Sequence, residues 1–167
     1  MPANIRVRVT SKSRYVKDLP ALRCAGPNTS PTKVLIATVF KRVNSLRAPR
    51  FPCLEDALGP GKIHECLVCV PDENGEDYWF LIGFKYQTRG KRVVNRALMT
   101  LHNRRFWDAD LVIMRCDSEG LVVPLKGAKY SLLAEVAIRE FLQELHKREK
   151  ATESEGGGRY EVPERIG

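Results

Sequence analysis

The sequence predicts an α+β fold: a mostly antiparallel sheet built from two hairpins, with two to three helices packed on it, in the order β-α-β-β-α-β-β-α. Three observations carry this. Apolar, β-rich runs occur in pairs joined by short turns containing Asp, Asn and Gly. An amphipathic stripe at helical spacing follows Ser131. A chain of 167 residues, 43% hydrophobic, can also bury roughly two-thirds of its unfolded surface in one core. The expected layout is a compact domain over residues 1–150 with a basic N-terminal third, then a flexible tail over 151–167.

In chain order, Asn4 to Thr10 alternate apolar and polar residues, as a strand with one buried face does. Residues 11–29 read as loop, broken by Pro20, Gly26 and Pro27. Ser30 and Pro31 resemble a helix cap and first turn. Leu35, Ile36, Val39, Phe40, Val43 and Leu46 then continue at helical spacing, so a helix is expected over 33–46, against the β-branched Val34, Ile36, Thr38 and Val39. The prolines and glycines of residues 47–62 mark a long connection.

His64 to Pro71 and Tyr78 to Tyr86 form the clearest hairpin, joined across Asn74-Gly75. Tyr78, Phe80, Ile82, Phe84 and Tyr86 share one face of its second strand and are expected in the core, since a row of large rings left in water is costly. A basic helix is expected over Lys91 to Arg105, with Val94, Ala97, Leu98 and Leu101 inward and Arg92, Asn95, Arg96 and Asn103 opposite. Leu111 to Cys116 suits a central strand, and Asp117 to Gly120 turns it into Leu121 to Leu125. The last helix, capped by Ser131 and reaching about Lys150, shows Leu132, Val136, Phe141, Leu142 and Leu145 as its stripe.

Charge is unevenly placed. The formal net charge is +8, yet residues 1–50 alone carry eleven Lys or Arg against the single acid Asp18. Such a segment suits an acidic partner, whereas a solvated arm that binds nothing is the plainer alternative. The longest apolar run, Tyr78 to Phe84, is far shorter than the ~20 residues of a membrane helix. No secretory leader follows Met1, and five cysteines cannot all pair within one chain, so a reducing location, cytoplasmic or nuclear, is expected.

Catalytic patterns are incomplete. Cys66 and Cys69 have zinc-ligand spacing, but on a strand side chains three apart point to opposite faces, so buried thiols are expected rather than a metal site. Gly59-Pro60-Gly61-Lys62 lacks both the spacing and the Ser/Thr of a phosphate-binding loop. His64, Cys66, His102, Asp108 and Asp110 are the residues from which a dispersed hydrolase or transferase site would have to assemble. No catalytic residue, metal ligand or cofactor is nominated.

The function expected from these patterns is nucleic-acid binding through phosphates. Arg6, Arg8, Lys12, Arg14, Lys17, Lys41 and Arg42, helped by Lys33, form one set of contacts. Arg89, Lys91, Arg92, Arg96, Arg104 and Arg105, around the second helix and beside Phe106-Trp107, form another. Phosphate contacts do not distinguish DNA from RNA. The alternative is a non-catalytic interaction module or adaptor for an acidic protein, self-associating as a homodimer through the Glu140, Glu144, Lys147 and Arg148 surface of the last helix. No membrane partner is expected.

Overall fold

A computed structural model describes residues 13–25, 28–41, 50–85, 95–98, 110–154, 156 and 163–167; the side chains of 13–16, 40–41, 50, 149, 152 and 153 are not among those described. The elements are β1 (Ser13–Cys24), β2 (Thr32–Lys41), β3 (Arg50–Pro52), α1 (Glu55–Leu58), β4 (His64–Pro71), β5 (Asp77–Phe84), β6 (Leu111–Cys116), β7 (Val122–Val123), α2 (Ala128–Ser154) and β8 (Arg165–Ile166). A further helical stretch covers Arg96–Leu98. Among the described residues the strands make one sheet, in the order β3-β2-β1-β6-β5-β4-β8, with β7 paired to β6 off that path.

The α+β class stands, but the sheet is mixed and the order differs from that expected. Among the described residues every pairing is antiparallel except β4 with β8. The expected strand at 4–10 lies outside the described residues.

Two expectations are corrected. Residues 13–24 are a strand, not loop. Pro20 is tolerated there because its carbonyl accepts the Leu125 amide at 3.1 Å, on the side away from β2. N–H and C=O of a strand residue point the same way, so the N–H that proline lacks is not missed by the β1–β2 ladder. Residues 32–41 are a strand, not a helix. The β-branched side chains prevail because β2 pairs on both sides, with β1 and β3. Ile36, Ala37, Thr38 and Val39 are all buried, which erased the period-2 signal.

Side chains of the central strands alternate between two apolar clusters. Phe80, Ile82, Phe84, Leu111 and Ile113 pack with Cys66 and Val68 against Ala134, Ala137, Ile138, Phe141, Leu142 and Leu145 of α2. The Phe84 and Phe141 rings lie 5.1 Å apart and tilted. The opposite face holds Leu19, Ala21, Ile36, Val112, Met114 and Cys116 around Leu54, from the turn before α1. Leu54 presses on Gly83, where an added Cβ would lie 2.5 Å from its Cδ1. Buried on both faces, Leu111 to Met114 of β6 read as an unbroken apolar run.

α2 starts before the expected Ser131 cap, since the Ser131 amide already donates to the Gly127 carbonyl at 3.1 Å. Leu132, assigned to its stripe, is 63% exposed. α2 reaches Ser154 rather than about Lys150, and Arg165–Ile166 form β8. Among the described residues no helix is long and apolar enough to cross a membrane.

The fold fixes which thiols solvent reaches. Cys24, Cys66 and Cys116 are buried, whereas Cys53 and Cys69 are half-buried. Titration of the native protein with a thiol-specific chromophore is expected to count two of the five cysteines promptly and all five in urea. A prompt count of four or five would contradict this packing.

Candidate nucleic-acid interface

Of the cations nominated from sequence, Arg6, Arg8, Lys12, Arg42, Arg89, Lys91, Arg92, Arg104 and Arg105 lie outside the described residues. Arg14 and Lys41 are placed by backbone alone, on adjacent strands where Ser13 pairs with Lys41 and Arg14 with Phe40. Lys17, Lys33 and Arg96 have described side chains, and all three are exposed.

The structure brings Lys33 and Arg96 to the same end of the sheet, although 62 residues of sequence lie between them. Lys33 stands opposite Leu22 of β1. Asn95, placed on the outward face in the sequence reading, is instead fully buried. Its Nδ2 donates to the Cys24 carbonyl at 3.0 Å, and its Oδ1 accepts the Leu98 amide at 3.3 Å. Asn95 therefore caps the helical stretch and ties it to the end of β1. Arg96 emerges from that cap, with Ala97 and Leu98 turned into the core as expected.

A row of paired residues, His64, Phe84, Leu111 and Cys24, crosses β4, β5, β6 and β1 at this end. Just beyond it lie two exposed or half-exposed cations that the sequence reading did not nominate, Lys62 and Lys85. The Lys85 ammonium donates to the Pro60 carbonyl, and this holds it against the Gly59–Lys62 loop. Asp110 is ion-paired with Arg23 at 3.1 Å. The signal that could have found Lys62 and Lys85 is the hairpin itself, which sets the start of one strand beside the end of the other.

The opposite end is acidic. The turns after β4 and β6 are built alike. The Gly75 amide donates to the Asp72 carbonyl and the Gly120 amide to the Asp117 carbonyl, each at 3.0 Å. Asp72 Oδ1 accepts the Asn74 and Glu76 amides, and Asp117 Oδ1 accepts those of Glu119 and Leu121. Both glycines take φ +79°, a left-handed value that side chains disfavour. Asn74-Gly75 thus closes a turn organised by Asp72 rather than forming the centre of a two-residue loop. Because Trp79 pairs with Cys116, the two turns are neighbours, and Asp72, Glu73, Glu76, Asp77, Asp117 and Glu119 gather there. Lys129 answers part of this charge. Its ammonium donates to the Tyr78 hydroxyl and to Asp72, both at 2.9 Å, and these bonds hold Lys129 above its ordinary range.

The charge separation also runs across the sheet. β1, β2 and β3 carry Arg14, Lys17, Arg23, Lys33, Lys41 and Arg50 against Asp18 alone. The hairpin from His64 to Phe84 carries Glu65, Asp72, Glu73, Glu76 and Asp77 and no Lys or Arg.

Of the residues from which a dispersed catalytic site would assemble, His64, Cys66 and Asp110 are described. His102 and Asp108 are outside the described residues. His64 stacks on Phe84 with centroids 5.6 Å apart, and burial, then Lys62, holds its pKa below the ordinary range. Burial pushes the Cys66 thiol up to about 11, the reverse of an activated nucleophile. Cys66 lies in the α2-facing core, while Cys69 pairs with Trp79 on the other face, so their thiols do not converge on one ion. Among the described residues no group of three His, Cys, Asp or Glu side chains could hold a metal. On α2, Arg148 Nε donates to Glu144 at 2.9 Å, which occupies part of the surface expected to self-associate.

Comparison with family models, curated proteins and solved structures finds no match to this chain.

Proposed function

We propose that the chain is a nucleic-acid-binding domain that lays the β1–β2 wing and the Asn95-capped end of the sheet on a phosphate backbone. The observation that carries this reading is the segregation of charge, with Lys17, Lys33, Lys62, Lys85 and Arg96 exposed or half-exposed and the carboxylate-rich turns at the far end of the β4–β5–β6 strands. A polyanion attracts the first region and repels the second, so the domain is oriented as well as held. Cations spread over two strands, two loops and a helical stretch suit backbone contact more than a base-reading helix, and no sequence preference is proposed.

The test is fluorescence anisotropy with labelled single- and double-stranded DNA and RNA at ~50 and ~200 mM salt. Micromolar or tighter binding that falls steeply between these points is expected. The triple variant Lys17→Glu, Lys33→Glu, Arg96→Glu is expected to bind at least ~10-fold more weakly. Its slope of log K against log salt should be shallower by about 0.7–0.9 for each phosphate that is no longer neutralised. The pair Glu73→Gln, Asp77→Asn at the acidic turn should bind as well as the parent or better. An absence of binding at the lower salt, or a triple variant with an unchanged slope, would overturn this and leave an acidic protein as the partner of the basic region.

A further inference from the structure

We infer that the outer edge of β4, together with Trp79, is a strand-addition site for an extended peptide segment of the pattern cation–branched aliphatic–glycine, and that Glu164–Gly167 of this chain occupies it in cis. Among the described residues β8 makes the one parallel pairing of the sheet, and with two residues it covers only Leu67 and Val68 of the eight-residue β4.

Each position of this short segment meets a distinct recognition feature. The Glu164 carbonyl accepts the Leu67 amide at 2.9 Å, a main-chain bond that any sequence could make. The Arg165 guanidinium lies 5.1 Å from the centre of the half-buried Trp79 ring, a cation–π arrangement. Ile166, opposite Val68, packs on the α2-facing core. Gly167 lies so close to Cys69 that an added Cβ would stand 2.7 Å from the Cys69 Cβ and 2.9 Å from its carbonyl oxygen, and its φ is +109°. Main-chain bonding along an edge with side-chain pockets at alternate positions is how strand-addition sites read a peptide.

Ten residues of sequence, Glu155-Gly-Gly-Gly-Arg-Tyr-Glu-Val-Pro-Glu164, join the end of α2 to Arg165. A segment joined covalently over so short a stretch of chain is present at an effective concentration of the order of millimolar. An external segment of the same pattern therefore competes with an internal one that has few contacts. The β4 edge is separate from the proposed phosphate-binding surface, because it involves neither β1, β2 nor Asn95.

The test uses the full chain and a fluorescein-labelled heptapeptide, Glu-Val-Pro-Glu-Arg-Ile-Gly, titrated by anisotropy. With the double variant Arg165→Ala, Ile166→Asp, in which the internal segment cannot dock, the peptide is expected to bind at least ~10-fold more tightly than with the parent. Peptide with Val in place of the last Gly should lose this gain. Equal, weak binding to parent and variant, or equal binding of a scrambled peptide, would overturn the inference. Hydrogen exchange of the parent supplies a reading independent of the variant. The Leu67 amide should exchange through local opening, far faster than the amides of Phe80 and Ile82 in the middle of the sheet. Exchange of Leu67 at the rate of those central amides would make β8 an inseparable part of the sheet and sink the proposal.

Discussion

Replacing Asn95 by Ala is expected to cost about 2–4 kcal/mol of stability, and replacing it by Asp about as much or more at neutral pH. Asn95 is the side chain that joins the basic end of the sheet to the helical stretch carrying Arg96. Fully buried, it donates to the Cys24 carbonyl and accepts the Leu98 amide. Alanine leaves both main-chain groups without these partners in a place water does not reach, and each group so stranded costs about 1–3 kcal/mol. Aspartate keeps the acceptor but lacks the donor, and it sets a carboxylate beside the carbonyl oxygen it should have bonded. That penalty belongs to the ionised form. The carboxyl would titrate above its unfolded range, so Asn95→Asp should regain stability relative to Asn95→Ala as the pH falls from 7 towards 5. Urea unfolding at the two pH values measures both effects. A destabilisation below about 0.5 kcal/mol in Asn95→Ala would mean that the bond to Cys24 is not structural, and the placement of Arg96 at the Lys33 end of the sheet would lose its support.

The parts of the fold legible in sequence were those in which one local signal dominates. The β4–β5 hairpin, β6 and the turn after it are marked by apolar runs bounded by Asp-x-x-Gly, and the structure gives both turns the same hydrogen bonds. β2 was misread because Ile36 to Val39 are buried on both faces, and their positions by chance also fit a helical stripe. β1 was misread because Pro20 is a breaker only when its missing N–H faces a partner strand, and sequence does not show which way it faces. Asn95 was assigned to solvent by polarity, although an amide serves a buried helix start better than any apolar residue. Lys62 and Lys85 become neighbours of the Cys24 end only through the register that links His64, Phe84, Leu111 and Cys24. Composition located the surplus of positive charge, whereas the acidic counter-pole needed topology, since Asp72 and Asp117 are 45 residues apart and share one end only because β5 and β6 pair.

The same burial that protects the core thiols predicts an alkaline limit to stability. Burial raises the thiol of Cys24 to about 12, with Glu135 and Asp110 adding to the effect. It raises that of Cys116 to about 12 as well, with Asp117 the next contributor. A thiol whose folded pKa exceeds its unfolded value stabilises the fold fully below the unfolded pKa, near 9, and that contribution fades as pH rises towards the folded value. Between about pH 9 and 11 each such thiol removes up to about 1.4 kcal/mol of stability per pH unit. Lysine and tyrosine titrate in the same range, so the informative quantity is a difference between two proteins. Cys24→Ala with Cys116→Ala is expected to be less stable than the parent at pH 7, because removing two buried sulfurs leaves small cavities. It should also have a flatter alkaline limb, so that the two urea midpoints converge and then cross as the pH approaches 11. Parallel limbs would show that these thiols ionise as readily in the folded chain as in the unfolded one. Cys24 and Cys116 would then be open to solvent, and neither the bond from Asn95 to the end of β1 nor the burial of β6 on both faces would hold.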